Sequence, residues 1–322
     1  MRVGVVGATG LVGMEMVRLV RERIGLPASS FLAFASDASR GRTLDYGPEQ
    51  VSLSVFDAGD VGGGDYLLGA TGAEVAGVWV PAAVERGAVV IDNSSRFRMD
   101  EGVPLVVPEV NLATIPAGCR LIANPNCSTI QLVVVLAPLA KAFGIEWAAV
   151  STYQSVSGAG SRALVELERQ EAGLSDAPEE GWFHRNVLTS IGGLDGDLYC
   201  EEEVKLARET GRIIGAGFPV FPACARVPVA VGHLESVTVR FDEPVGREGV
   251  LGVLRNADGV SLSEDGAAPR RIQGTSEVFV GRVRQSPVDS RTVQMWITAD
   301  NVRKGAALNA VQILESLLGR SD

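Results

Sequence analysis

The sequence predicts an α/β protein: a doubly wound parallel sheet in the first part, then a second α+β domain with a mainly antiparallel sheet. Three observations predict it. The chain opens with a β-branched strand, a glycine turn and an amphipathic helix in that order. Short apolar runs then alternate with helical patterns as far as Phe143, as βαβ units do. Beyond Ala223 the spacing changes to apolar/polar alternation of period two.

Met1–Val6 is the opening strand, Gly7–Gly13 the turn, and Met16, Leu19, Val20 and Ile24 recur at helical spacing after it. Phe31–Ala35 and Asp65–Gly69 read as strands, Val80–Arg86 as a helix and Ala88–Ile91 as a buried strand. Asn124-Pro125-Asn126 is a turn signal, and Cys127 begins the helical run Ser128–Phe143. After Val150 the character changes. Tyr153–Gly160 is rich in serine and glycine, Ser161–Gln170 is helical, and Glu171–Asp197 has weak periodicity, an excursion expected to cover a site or a partner. Glu202–Ile213 returns to helix. Val237, Val239 and Phe241 alternate against Ser236, Thr238 and Arg240, and Glu277–Arg284 and Thr292–Thr298 read as further strands of that sheet. A last amphipathic helix spans about Val302–Leu318. The expected partition is residues 1–127, then 128–299, with the terminal helix, 300–322, packing back on the first domain.

Composition narrows the function. The chain has 322 residues, enough for two domains and a cleft between core-bearing bodies. Its 29 Lys+Arg against 39 Asp+Glu give a net charge of −10, which opposes a nucleic-acid partner. Hydrophobic residues at 46% beside 21% charged exclude a disordered chain. The most apolar stretch, Ile130–Ala140, is interrupted by Gln131 and Pro138 and stopped by Lys141, so no membrane span is expected. The N-terminal run reaches Glu15 with no convincing cleavage site, as in a mature cytoplasmic protein. Cys119, Cys127, Cys200 and Cys224 form no CxxC, and with two histidines no metal site is expected.

Two features carry chemistry. Gly7, Gly10 and Gly13 form GxxGxxG between strand and helix, where backbone N–H groups and a helix N-terminus approach a pyrophosphate; the first domain is therefore read as Rossmann-like and dinucleotide-binding. At the end of the second strand, Asp37 would favour NAD, whereas Ser36, Ser39, Arg40 and Arg42 would bind the 2′-phosphate of NADP. The second feature is Cys127, in the first turn of its helix, where the dipole and unpaired N–H groups favour a thiolate. Poise alone gains little: a fall in pKa from about 8.5 to about 6.5 raises the thiolate fraction at neutral pH roughly 25-fold but costs about 6- to 10-fold in intrinsic nucleophilicity. Orientation and oxyanion donors must supply the rest. A thioester route also needs a proton shuttle. His233, where an alternating strand begins, is the candidate; His184 lies in the loose excursion.

At these residues the sequence resembles the aspartate-β-semialdehyde dehydrogenase family over nearly its whole length. The matching strings are GATGLVG from Gly7, DNSSRFRMD from Asp92, VPLVVPEVN from Val103, NPNCSTIQ from Asn124, STYQSVSGAG from Ser151, RVPVAVGH from Arg226 and DNVRKGAALNAVQ from Asp300. The resemblance implies NADPH-dependent reduction of L-aspartyl-4-phosphate to the semialdehyde and phosphate, in the biosynthesis of lysine (through diaminopimelate), methionine and threonine. It implies a catalytic and dimerisation role for 128–299, in a homodimer or homotetramer.

Carried over by position, it makes Cys127 the nucleophile, Asn126 its neighbour, Gln154 the residue that orients the intermediate and His233 the acid/base. Arg226 would grip the α-carboxylate, Glu202 the α-ammonium, and Lys205 with Arg98 the phosphate; the i, i+3 spacing of Glu202 and Lys205 would point both into one cleft. Thr9, Gly10, Leu11 and Val12, with Gly7, Ser36, Arg40, Ser157, Gly158 and Asn301, would contact the cofactor, NADP with NAD as the alternative. Three departures stand out: Ala38 where the family commonly has Arg, Gly69-Ala-Thr-Gly72 after the fourth strand, and Arg185-Asn-Val-Leu-Thr189 without the usual proline. Two rival readings are a related N-acyl-glutamyl-phosphate reductase and a non-catalytic paralogue that only binds or regulates.

Overall fold

The computed structural model describes residues 1–215 and 217–319. The strands are β1 (Arg2–Val6), β2 (Phe31–Phe34), β3 (Thr43–Tyr46), β4 (Glu49–Ser54), β5 (Asp65–Gly69), β6 (Val89–Asp92), β7 (Leu121–Ala123), β8 (Ile145–Gln154), β9 (Val220–Arg226), β10 (His233–Phe241), β11 (Val260–Ser263), β12 (Val278–Gln285) and β13 (Thr292–Ala299). The helices are α1 (Leu11–Leu19), α2 (Ala73–Glu85), α3 (Pro108–Asn111), α4 (Cys127–Phe143), α5 (Ser161–Glu171), α6 (Glu201–Ile214), α7 (Arg247–Leu254), α8 (Pro269–Ile272) and α9 (Leu308–Gly319). The chain divides into two compact units. One is Met1–Pro125 with the C-terminal segment from Ala306; the other is Asn126–Gly305. The terminal helix was expected over 300–322, and residues 320–322 of that span lie outside the described residues.

The first unit holds a seven-stranded sheet in the order β3-β4-β2-β1-β5-β6-β7. All its pairings are parallel except β3 with β4. The order runs outward from β1 in both directions, so the crossovers put helices on both faces. On one face Val3 and Val5 pack with Met16 and Leu19 of α1 and with Leu308, Val311 and Leu314 of α9. On the other, Val6 and Leu67 meet Ala76, Val80 and Ala83 of α2, beside the aromatic group Phe34, Phe56 and Trp79. Each such buried aliphatic side chain contributes about 1.5–3 kcal/mol.

The second unit holds a six-stranded sheet in the order β11-β12-β13-β10-β8-β9. Three of its pairings are antiparallel, and β8–β9 and β11–β12 are parallel. Along β10 every second residue from His233 to Phe241 is buried, as the alternation of Val237, Val239 and Phe241 requires. The apolar helix α4 packs on this sheet and against α6 and α7, buried without a break from Ser128 to Leu136.

The structure departs from the sequence reading at several elements. Helix α2 starts at Ala73, seven residues before the expected Val80, and runs through Pro81, which only forgoes the hydrogen bond to the Gly77 carbonyl. The β3–β4 pair, α7 and β11 were not expected. Strand β8 begins at Ile145, directly after the Gly144 that ends α4. In the Glu171–Asp197 stretch, Leu188 exchanges two backbone hydrogen bonds with Arg226, at 3.0 and 2.8 Å.

Candidate active site

Cys127 is the first residue of α4, and Asn126 fixes where that helix starts. Its Oδ1 accepts from the Ser128 and Thr129 N–H groups at 2.9 and 3.3 Å, capping the helix. Its Nδ2 donates to Glu202 Oε1 at 2.9 Å, and its backbone N–H donates to Glu209 Oε2 at 2.7 Å. Both carboxylates come from α6, seven residues apart and so on one face. One asparagine thereby ties the helix that carries the thiol to the helix beside it.

Nε2 of His233, the first residue of β10, lies 3.2 Å from the Cys127 sulfur. The ring is fully buried, and burial together with the charge of Arg226 holds its pKa well below the ordinary histidine value. Arg226 ends β9. Its Nη1 donates to the Ser155 carbonyl at 2.8 Å and approaches Gln154 Oε1 at 3.5 Å. Burial lowers its pKa too, with the Cys127 and Glu202 charges acting against that shift. Gln154 donates from Nε2 to Glu202 Oε1 at 3.0 Å. Cys127, half-buried, and the buried His233, Asn126, Gln154, Glu202 and Arg226 thus form one cluster inside the second unit, brought together from α4, β8, α6, β9 and β10.

Gly158 leaves space at this cluster. A Cβ there would stand 2.7 Å from Arg226 Nη1 and 3.3 Å from two atoms of the His233 ring, so any side chain would displace the guanidinium or the imidazole. Ser157 and Asn301, expected at the cofactor, bond to each other here: Asn301 Nδ2 donates to Ser157 Oγ at 2.9 Å. Lys205 differs from expectation. Its Nζ bonds Glu201 Oε2 at 3.2 Å, while Glu202 turns inward, so the i, i+3 pair does not converge in this structure. Arg98, in the first unit, is buried and donates to the carbonyls of Asn124 and Asn93 at 3.0 and 2.8 Å.

Sequence reasoning missed Glu209 and Ser155. Glu209 had a signal, since it follows Glu202 by two helical turns; Ser155 had none, because its backbone acts: the carbonyl accepts from Arg226 and the N–H donates to His233 Nδ1 at 3.0 Å. Among the other cysteines, burial raises the pKa of Cys119 and Cys224 and keeps those thiols protonated.

The nucleotide end lies in the first unit. Gly7 has φ +91°, and a Cβ on it would sit 2.5 Å from the Ala70 carbonyl oxygen; a Cβ on Gly13 would sit 2.0 Å from the Gly7 carbonyl oxygen. The turn therefore closes only with glycine. Gly10 caps α1 without a side chain, so the first-turn N–H groups at Leu11 and Val12 adjoin a bare backbone cradle beside Thr9. That cradle fits a pyrophosphate. After β2, Ser36 precedes a short turn in which Arg40 pairs with Asp37 at 2.9 Å, both side chains exposed.

Residues 2–117 match the family described as semialdehyde dehydrogenase, NAD binding domain, and residues 136–304 match semialdehyde dehydrogenase, dimerisation domain. The aspartate-semialdehyde dehydrogenase of Shewanella violacea is 41% identical, covering 98% of this chain and 96% of that one. The crystal structure of aspartate semialdehyde dehydrogenase II complexed with ASA from Vibrio cholerae superposes with a TM-score of 0.92 at 40% identity, covering 98% of each chain. Aspartate semialdehyde dehydrogenase with NADP from Candida albicans has a TM-score of 0.76 at 25% identity, covering 99% of each.

Proposed function

Because the chain belongs to the semialdehyde dehydrogenase family, we propose that it reduces L-aspartyl-4-phosphate to L-aspartate 4-semialdehyde and phosphate through a thioester on Cys127. The observation that carries this reading is the Cys127 sulfur at a capped helix N-terminus, 3.2 Å from an imidazole nitrogen and within the field of a buried guanidinium. The sulfur attacks the acyl carbon, the C–O bond to phosphate breaks, and its electron pair leaves with the phosphate. When bound, a reduced nicotinamide dinucleotide supplies the hydride. His233 serves the sulfur and the oxygen on the carbon attached to it, and Gln154 orients that carbonyl.

The cluster also suits an amino acid. Arg226 meets the α-carboxylate, and Glu202 meets the α-ammonium: its Oε1 is engaged by Asn126 and Gln154, and among the described residues no hydrogen bond engages its Oε2. An N-acylated glutamyl substrate would bring no charge to that carboxylate, which favours the aspartyl reading over the N-acyl reductase. The phosphate falls to Lys205 and Arg98. Gly7, Thr9, Gly10, Leu11 and Val12 hold the pyrophosphate, with Ser157, Gly158 and Asn301 at the nicotinamide end. Ser36 and Arg40 replace the missing arginine at Ala38 as ligands of a 2′-phosphate, so NADP is the preferred cofactor. A cytoplasmic homodimer in aspartate-derived amino-acid biosynthesis completes the reading; no helix among the described residues is long and apolar enough to cross a membrane.

The test is cofactor reduction by aspartate semialdehyde with and without inorganic phosphate. Strict dependence on phosphate is expected. Reduction only with the N-acetylglutamyl analogue, or none with either aldehyde, would overturn the assignment.

A further inference from the structure

A line of buried polar groups runs up to the side of His233 that faces away from the sulfur. Asn301 Nδ2 donates to Ser157 Oγ at 2.9 Å, Ser157 Oγ and Ser155 Oγ are 3.0 Å apart, and Ser155 Oγ is 3.1 Å from Nδ1 of His233. Backbone amides pin both ends. The Gly232 N–H donates to Asn301 Oδ1 at 2.8 Å, which sets the carboxamide with its NH₂ toward Ser157. The Ser155 N–H donates to Nδ1 at 3.0 Å, which requires a lone pair on that nitrogen. Either hydroxyl can instead give its hydrogen to Asn301 Oδ1, at 3.0 and 3.1 Å, and the Ser155 amide still occupies Nδ1.

We propose that Ser155 is the positioning residue, its amide occupying Nδ1 and its hydroxyl held by Ser157 and Asn301, so that His233 stands as the Nε2–H tautomer and meets the Cys127 sulfur as a neutral donor. This deepens the assigned reaction and rests on it. Since the second proton of an imidazolium would have to enter at Nδ1, against the Ser155 amide, the site holds no thiolate–imidazolium pair. Burial and Arg226 on β9 both oppose a cation on the ring; Cys127 on α4 faces Nε2, and Glu235, two residues on along the same face of β10, has its carboxyl pushed up by burial, toward its neutral form. A neutral imidazole can act in this way as a hydrogen-bonding electrophile. When the tetrahedral adduct collapses, an electron pair on its oxygen closes the C=O bond and the C–S pair returns to sulfur. The sulfur receives the Nε2–H hydrogen bond, and the ring keeps its proton.

The experiment is ¹⁵N NMR of the full chain with labelled histidine; the sequence has two histidines, and a His184→Gln variant assigns them. Expected for His233 are an unprotonated Nδ1 and a protonated Nε2, with the ring still neutral at the pH where a free histidine is half protonated. An Nδ1–H tautomer, or an imidazolium near neutral pH, would overturn the proposal. Asn301→Asp removes the Nδ2 donor to Ser157 and so loosens the hold on Ser155. It is expected to bring proton density onto Nδ1 and to lower kcat about tenfold with KM within about twofold. An unchanged ring spectrum in a folded Asn301→Asp protein would remove Asn301 and Ser157 from the positioning role, and if that variant does not fold the parent spectrum still decides the tautomer. The spectra need no substrate, so their outcome is independent of the phosphate-dependence assay.

Discussion

Arg226 is where charge, burial and substrate chemistry meet. Its guanidinium is buried and spends Nη1 on the Ser155 carbonyl, and in the proposed reaction the rest of its planar fork receives the α-carboxylate. Arg226→Lys retains the charge and loses the fork, so kcat/KM for aspartate semialdehyde should fall by about 10- to 100-fold, the loss of one charge-assisted hydrogen bond. The thiol should still alkylate. Steady-state kinetics beside iodoacetamide labelling checks both, and an unchanged kcat/KM would take the carboxylate away from Arg226. At this scale the sequence was most legible where a residue's chemistry is in its side chain: Cys127, His233, Gln154, Glu202 and Arg226 all lie in one cluster. It was least legible where the main chain acts. Nothing in the letter Ser at 155 says that its N–H will face Nδ1, whereas Glu201 and Lys205, spaced i, i+4 on one helix, carried a signal that the i, i+3 reading passed over.

The element that sets the site is the start of α4. Asn126 caps it, ties it to Glu202 and Glu209 of α6, and so places the sulfur in the dipole field of a 17-residue helix. Asn126→Ala removes the cap, worth about 1 kcal/mol, and strips a donor from a buried carboxylate, worth about 1–3 kcal/mol. Urea unfolding should show a loss of about 2–4 kcal/mol with slower alkylation of Cys127; a loss under about 0.5 kcal/mol would mean that the asparagine does not hold the junction. Helices with plain caps and periodic faces, α4 and α6 among them, were readable in advance. The start of α2 was hidden by Pro81, which reads as a boundary although the helix absorbs it, and β11 carries four half-buried residues that give no clear alternation.

Across the whole molecule, two units divide the labour by chemistry. A mainly parallel sheet ends in a glycine cradle that fits a pyrophosphate, and a mixed sheet with a buried helix carries the cysteine proposed to take the acyl group. The doubly wound order was legible because fully buried parallel strands read as continuous apolar runs; the β3–β4 pair, with one face wet and few β-branched residues, did not. The proposed reaction begins with one covalent event, in the second unit. Its most direct test is intact-protein mass spectrometry after mixing with L-aspartyl-4-phosphate in the absence of dinucleotide, with Cys127→Ser as control. The expected result is a single aspartyl group on Cys127, absent from the control and discharged when reduced NADP is added; an unmodified sulfur, or an adduct that the control also carries, would contradict it.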